Sequence, residues 1–240
     1  MIPIKDIIPR RQTPFITYLL IAVNTFIFFI EVSLPPDVLN SVFYIFGLVP
    51  ARYTHPAWAY FVGLHIDNYW PFLTNIFLHG SWFHLISNMW ALWIFGDNVE
   101  DRMGHIKYLI FYILCGVFAS LTHFIFNANS TIPAIGASGA ISGVMGAYMI
   151  MFPTSRIITL IPIFFIPYFI EIPAIIYIGF WFISQFISGT FSIFVGQNAG
   201  GIAWWAHIGG FIFGVIIHRF FKNAYSRECY PDEYYYRFLY

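Results

Sequence analysis

Charge is what this chain most lacks. Of its 240 residues only 9% are Asp, Glu, Lys or Arg, against about 25% in soluble domains. That is too little to coat a surface facing water. Cysteine is scarce as well: Cys115 falls in an apolar stretch and Cys229 in the polar tail, which excludes a disulfide-stapled secreted scaffold. Net charge is zero, so nothing argues for nucleic acid or another polyanionic partner. Internal repeats and low-complexity linkers are missing, and the first apolar stretch carries no small-residue cleavage site of the kind a secretory leader needs. Apolar surface is abundant instead, with 59% hydrophobic residues, 22% aromatics and a mean hydropathy of +0.72. Trp and Tyr concentrate at membrane interfaces. The composition is that of a polytopic membrane protein.

Runs of roughly 20 apolar residues predict spans near 13–33, 82–97, 106–126, 138–152, 173–190 and 202–221. Segment 155–170 is apolar too, but Pro162, Pro167 and the following Pro173 predict a broken interfacial connection rather than a seventh helix. With six spans, Lys5, Arg10, Arg11, Arg102, Lys107, Arg156, Arg219, Lys222, Arg227 and Arg237 all fall on one face and only Arg52 on the other. The positive-inside rule then puts both termini in the cytoplasm. The long first outer connection, 34–81, reads either as short amphipathic elements in the interface or as a plain covering loop. One domain covering residues 1–240 is expected, with a helical core of about 13–221 and a cytoplasmic tail of about 222–240. The aromatic tail has two readings, a segment along the inner membrane surface or a docking element.

The fourth span is short. Ser138 to Met151 makes ~20 Å of helix, against a hydrocarbon core of ~30 Å. Ser138 therefore starts below the outer surface, and residues 127–137 descend to it as irregular backbone. Such backbone is tolerated at depth only when it is buried in protein or lines a water-filled cavity. Counting from the basic residues at the other end puts His207 and Asn88 in the same layer, within a turn or two. Gly139, Gly143 and Gly146 of the fourth span, and His207, Gly210 and Gly214 of the sixth, have the spacing that lets membrane helices approach closely. The glycines have a purely structural reading, as tightening for a bundle.

His79, His84 and Asn88 open the second span. Polar groups inside a bilayer are functional candidates by default. A metal site would need a further ligand and a general base; H-E-x-x-H is absent, and no carboxylate lies in the outer half beside them. Interhelical hydrogen bonding is a second reading. The third is an oxyanion hole beside Ser138, and it fits the whole set. A buried serine needs an adjacent base, which His207 supplies. No acidic third member is evident, so a Ser138–His207 dyad is expected, with the imidazole oriented by packing. His55, His65, His105, His123 and His218 read as structural or interfacial.

These residues carry a resemblance to the rhomboid intramembrane serine proteases. Gly136-Ala137-Ser138-Gly139 matches the family's G-x-S-G, and Ala206-His207 through Gly210 and Gly214 its A-H-x-x-G-x-x-x-G. His79, His84 and Asn88 match H-x4-H-x3-N, and Gly96, Glu100 and Gly104 match G-x3-E-x3-G. The four motifs stand in the family's order on the expected spans. The resemblance implies a six-helix all-α membrane bundle with a short central fourth helix and a long outer first loop. It implies Ser138 as nucleophile and His207 as base. His84, Asn88 and the Ser138 backbone N–H become oxyanion donors, and His79 a structural hydrogen-bonding residue. Gly136, Gly139, Gly210 and Gly214 are structural residues near the site. No cofactor or metal is implied, and the substrate is a transmembrane helix cut near its outer end. A plasma or bacterial inner membrane is expected, with the site opening outward. Two departures stand out: Trp70-Pro71 replaces the Trp-Arg pair common in the first loop, and Ser142 replaces a tyrosine that stacks on the histidine in some members. Two rivals remain. A non-catalytic rhomboid-like binder of transmembrane helices would be free to lose the polar set. A channel or small-solute transporter would show paired broken helices or internal repeats.

Overall fold

The structure is a computed structural model that describes residues 1–163, 166–195 and 202–222, with residues 193–195 as backbone only. Strand β1 (Ile2–Asp6) precedes helix α1 (Phe15–Ser33). The first connection then folds into α2 (Pro36–Phe46), α3 (Ala51–Thr54), α4 (Pro56–Phe61), α5 (Pro71–Thr74) and a 3-10 turn, Asn75–Phe77. Helices α6 (Trp82–Met103), α7 (His105–Phe126) and α8 (Ser138–Met151) follow. Strands β2 (Arg156–Ile163) and β3 (Ile166–Pro173) lead into α9 (Ala174–Val195) and α10 (Trp204–Phe221). Among the described residues, three stretches, Phe15–Ser33, His105–Phe126 and Ala174–Ser192, are long and apolar enough to cross a membrane. Large apolar side chains such as Phe26, Phe118, Phe180 and Phe191 face outward from these helices, a surface that water does not tolerate over such an area.

All six predicted apolar spans are helical, and α6 runs past its expected end at 97. Its polar last turns are absorbed by neighbours. Pro14 gives α1 no side-chain cap, and the buried Glu100 takes that role: it accepts from the N–H groups of Ile16 and Thr17, both at 2.8 Å, and from Thr17 Oγ1 at 2.7 Å. A carboxylate at a helix N-terminus satisfies orphan donors and the helix dipole together. Arg102 lies over the Phe152 ring at 4.9 Å.

Helix α8 is the hub. It is buried all round from Gly139 to Tyr148 and packs against α6, α7, α9 and α10. Its glycines are what allow this. A side-chain carbon at Gly210 would overlap the Gly139 carbonyl oxygen, and one at Gly214 the Gly143 carbonyl oxygen. One at Gly146 would come within 2.6 Å of the Phe211 carbonyl oxygen, and one at Gly139 within 2.6 Å of Ala119 Cβ on α7. The small residues thus serve two helix contacts, α8 with α10 and α8 with α7.

The expectation of an all-α chain is corrected by a three-stranded antiparallel sheet in the order β1-β2-β3. Residues 156–173 are indeed no seventh helix. β-Branched residues favour the extended form, and the prolines at 162, 167 and 173 cannot continue a helix. β2 pairs with β3 from Arg156↔Pro173 to Ile163↔Ile166, and with β1 from Ile2↔Leu160 to Asp6↔Ile157. The Arg11 backbone N–H donates to Asp101 at 2.6 Å, so β1, the α6–α7 junction and the β2–β3 hairpin share one end of the bundle. At the other end the first connection lies against residues 128–134, through Leu48↔Ala134 and Ala51 N–H to the Ser130 carbonyl at 2.9 Å. Of the two readings of that connection, the short helical elements are the ones seen. Cys115 is buried and free. The aromatic tail beyond Lys222, with Cys229, lies outside the described residues.

Candidate active site

Ser138 is the first residue of α8, so its backbone N–H has no intrahelical partner. The chain reaches it through Gly136, whose φ of +130° is a conformation open to glycine and strained for other residues. The Gly136 N–H is tied to the Asn75 carbonyl at 2.9 Å. A side-chain carbon on Gly136 would also lie 2.6 Å from His84 Nε2. Gly136 is therefore required twice, for its backbone and for the imidazole beside it.

His207 sits in the first turn of α10, and its Nε2 lies 2.7 Å from Ser138 Oγ. The pair comes from segments 69 residues apart, brought together by the glycine-lined α8–α10 crossing. The opposite ring nitrogen, Nδ1, is 2.8 Å from Gln185 Oε1 on α9. Gln185 is buried; its Nε2 donates to Ser184 Oγ at 3.1 Å, and Ser184 Oγ donates to the Trp181 carbonyl at 2.6 Å. Trp181 lies tilted against the imidazole with ring centroids 6.0 Å apart, and Trp204 meets it edge-on at 6.3 Å. His207 is thus held by an amide and two indoles, not by packing alone. Ser142, at the position of the missing tyrosine, turns its hydroxyl to the Ser138 carbonyl at 2.6 Å.

Of the second-span residues, His84 reaches the Gly136 side of the site and His79 packs against His84. His84 Nε2 lies beside Gly136, and the Asn88 side chain is buried with Nδ2 donating to no described residue. A buried donor without a partner costs free energy, and Asn88 Nδ2 shares that state with both ring nitrogens of His79. His79 differs from expectation. It makes its hydrogen bond through the backbone, N–H to Glu31 Oε2 at 3.2 Å. Its ring packs edge-on against His84 at 5.1 Å, and its two nitrogens have no partner among the described residues. In the first connection, Pro71 is the first residue of α5, and its carbonyl accepts from Asn75 Nδ2 at 2.5 Å. That amide also donates to Ser120 Oγ on α7 at 2.8 Å, so Asn75 ties the loop to the bundle beneath Gly136.

Sequence reasoning passed over Gln185. The signal was present, since an amide in an otherwise apolar span is a functional candidate by default. Chemically, the constellation joins a hydroxyl to an imidazole, with the N–H of Ser138 and the His84 ring close by.

The family model for the Rhomboid domain matches residues 67–223, which include every residue of this constellation. The chain is 28% identical over 155 residues to the presenilin-associated rhomboid-like protein, mitochondrial, of Homo sapiens, covering 60% of this chain and 36% of that protein. It is 39% identical over 88 residues to rhomboid protease GluP of Bacillus subtilis (strain 168), or 37% of this chain and 17% of that one. The putative rhomboid protease YdcA of the same organism is 26% identical over 117 residues, 47% of this chain and 58% of that protein. The chain matches 36% of the length of the mitochondrial relatives.

Proposed function

The chain belongs to the rhomboid family, and from that membership and the geometry around Ser138 we propose that it is an intramembrane serine endopeptidase cutting transmembrane-helix substrates near the outer membrane face. The observation that carries the proposal is the 2.7 Å contact of Ser138 Oγ with His207 Nε2. In the reaction, Ser138 Oγ attacks the scissile carbonyl as its proton passes to His207 Nε2. The backbone N–H of Ser138, with His84 and Asn88, donates to the oxyanion that forms. His207 then returns the proton to the leaving amine, and the C–N bond breaks. Water, deprotonated by the same imidazole, hydrolyses the acyl-serine ester and restores the hydroxyl. No cofactor enters this sequence.

The protein is an integral membrane protein, and its finer topology is part of the proposal. Six spans with both termini cytoplasmic would open the site outward, in a plasma or bacterial inner membrane. The basic residues support this: Arg10, Arg11, Arg102 and Arg156 belong to segments that the sheet and the Arg11–Asp101 bond hold at one end. Ser138 lies toward the other end. One domain with its core over about 13–221 is proposed with it.

The test is cleavage of a single-pass substrate reconstituted in vesicles. Ser138→Ala and His207→Ala are each expected to abolish cleavage with thermal stability kept, and Ser138→Ala to abolish labelling by a serine-directed fluorophosphonate. Full activity in both variants would refute the dyad, whereas wild-type protein that retains the substrate helix without cleaving it would favour a helix binder without catalysis.

A further inference from the structure

The hydrogen bonds around His207 have a direction that can be read from their far end. Ser184 Oγ donates its only proton to the Trp181 carbonyl at 2.6 Å, so toward Gln185 it acts as acceptor, and the group 3.1 Å away must be the Gln185 NH2. That fixes the amide: its oxygen faces His207, 2.8 Å from Nδ1. An amide oxygen accepts and cannot donate, so the proton of the neutral imidazole resides on Nδ1. Nε2 then carries the lone pair, 2.7 Å from Ser138 Oγ. The chain runs from Ser138 O–H to His207, from His207 to Gln185, from Gln185 to Ser184 and from Ser184 to the Trp181 backbone. Every donor in it has one acceptor.

From this chain we infer that Gln185 is a positioning residue, which holds His207 in the Nδ1–H tautomer and aims Nε2 at Ser138. The inference rests on the reading of Ser138 and His207 as a dyad and adds its third member. Without the amide, the proton can sit on Nε2, and the imidazole would then donate to the serine and could not accept from it. The Nδ1–H proton is not transferred. It stays on the ring while Nε2 gains and loses the serine proton, and its bond to the amide strengthens as the ring becomes cationic. An acidic third member would do the same at the cost of burying a charge among apolar helices. A neutral glutamine orients the ring without that cost. This answers the question left by the two features the sequence lacks here, an acid and a stacking tyrosine.

The experiment compares Gln185→Leu and Gln185→Glu with wild type as full chains in vesicles, with Ser138→Ala and His207→Ala alongside. Steady-state kcat and KM are measured on one single-pass substrate. Gln185→Leu is expected to lower kcat about 10- to 100-fold, part of what a positioned base contributes, with KM within about twofold. Gln185→Glu restores an acceptor at the same reach and is expected to recover most of the loss. Should Gln185→Leu not fold, Gln185→Met keeps the side-chain length without the amide and takes its place. A wild-type kcat in the Leu or Met variant, or a Glu variant as slow as they are, overturns the role of Gln185 while the dyad stands. Undiminished cleavage by Ser138→Ala and His207→Ala would instead remove the dyad itself, so the two failures are told apart.

Discussion

Asn88 holds a buried amide whose Nδ2 donates to no described residue, and that makes it the cleaner of two side chains with which to test an oxyanion hole. If Asn88 donates to the oxyanion, removing an amide that donates to no described residue should cost folding little and the transition state much. Asn88→Ala is therefore expected to lower kcat by about 100-fold, or up to ~3 kcal/mol, with KM and thermal stability nearly unchanged. His84→Ala should lower kcat similarly, but it also empties the space between Gly136 and His79 and so should reduce stability as well. Steady-state kinetics with a thermal melt on each variant checks both statements, and an unchanged kcat in both would remove the assignment. Ser138, His207, His84 and Asn88 were legible in the sequence because each is a polar residue in an apolar run at a countable depth. The Gln185 contact was not. It depends on the rotation of α9 relative to α10, and the apolar periodicity of a span exposed to lipid on most sides does not fix that rotation.

At the scale of elements, the Ser138–His207 distance is set by the crossing of α8 and α10, where backbone meets backbone. The carbonyl oxygen of Gly143 occupies the place a side chain on Gly214 would take. A backbone atom cannot swing aside as a side-chain tip can. Gly214→Val is expected to force the two helices apart, lowering stability by about 1–3 kcal/mol or more and slowing cleavage through the displaced histidine. Gly179 on α9 is the control, since a side-chain carbon there meets nothing within 4 Å. Gly179→Ala should leave the melting temperature equal or higher, because alanine favours a helix over glycine by up to ~1 kcal/mol. Melts of the two variants in one detergent compare them directly, and equal melting temperatures would disprove the crossing argument. The six apolar helices, the short α8 among them, were legible from run length. The glycine spacing showed which helices approach, though not that Gly139 and Gly143 also serve α7 through Ala119 and Cys115. The sheet was legible only as an interruption: prolines exclude a helix at 156–173, but pairing with residues 2–6 is a contact across the whole chain, and local pattern does not encode it.

Across the whole molecule, the chain's beginning is fastened to its centre by one carboxyl group. Asp6 Oδ2 on β1 accepts from Asn98 Nδ2 at 2.8 Å and from the Tyr148 hydroxyl at 2.5 Å, joining the sheet to α6 and α8. Nearby the Trp90 indole donates to the Pro3 carbonyl at 2.6 Å. Burial raises the Asp6 pKa to about 7; the Asp97 charge adds to the rise and the Tyr148 hydrogen bond opposes it. The ordinary value is 3.8, so between these two values the folded protein keeps a proton that the unfolded chain has lost. Stability from this group is complete below about pH 4, declines as pH rises toward 7 and levels off above it, a change of up to a few kcal/mol. Asp6→Asn keeps an oxygen acceptor and cannot ionise. Its melting temperature should therefore vary less than wild type between pH 5 and pH 8, and exceed wild type at pH 8. Titrating groups remote from Asp6 contribute equally to both proteins, so the difference between the two curves reports Asp6 together with its coupling to Asp97. Parallel curves would mean that the carboxyl is already ionised in the folded protein, and that the N-terminal strand is held through an anion accepting from Asn98 and Tyr148.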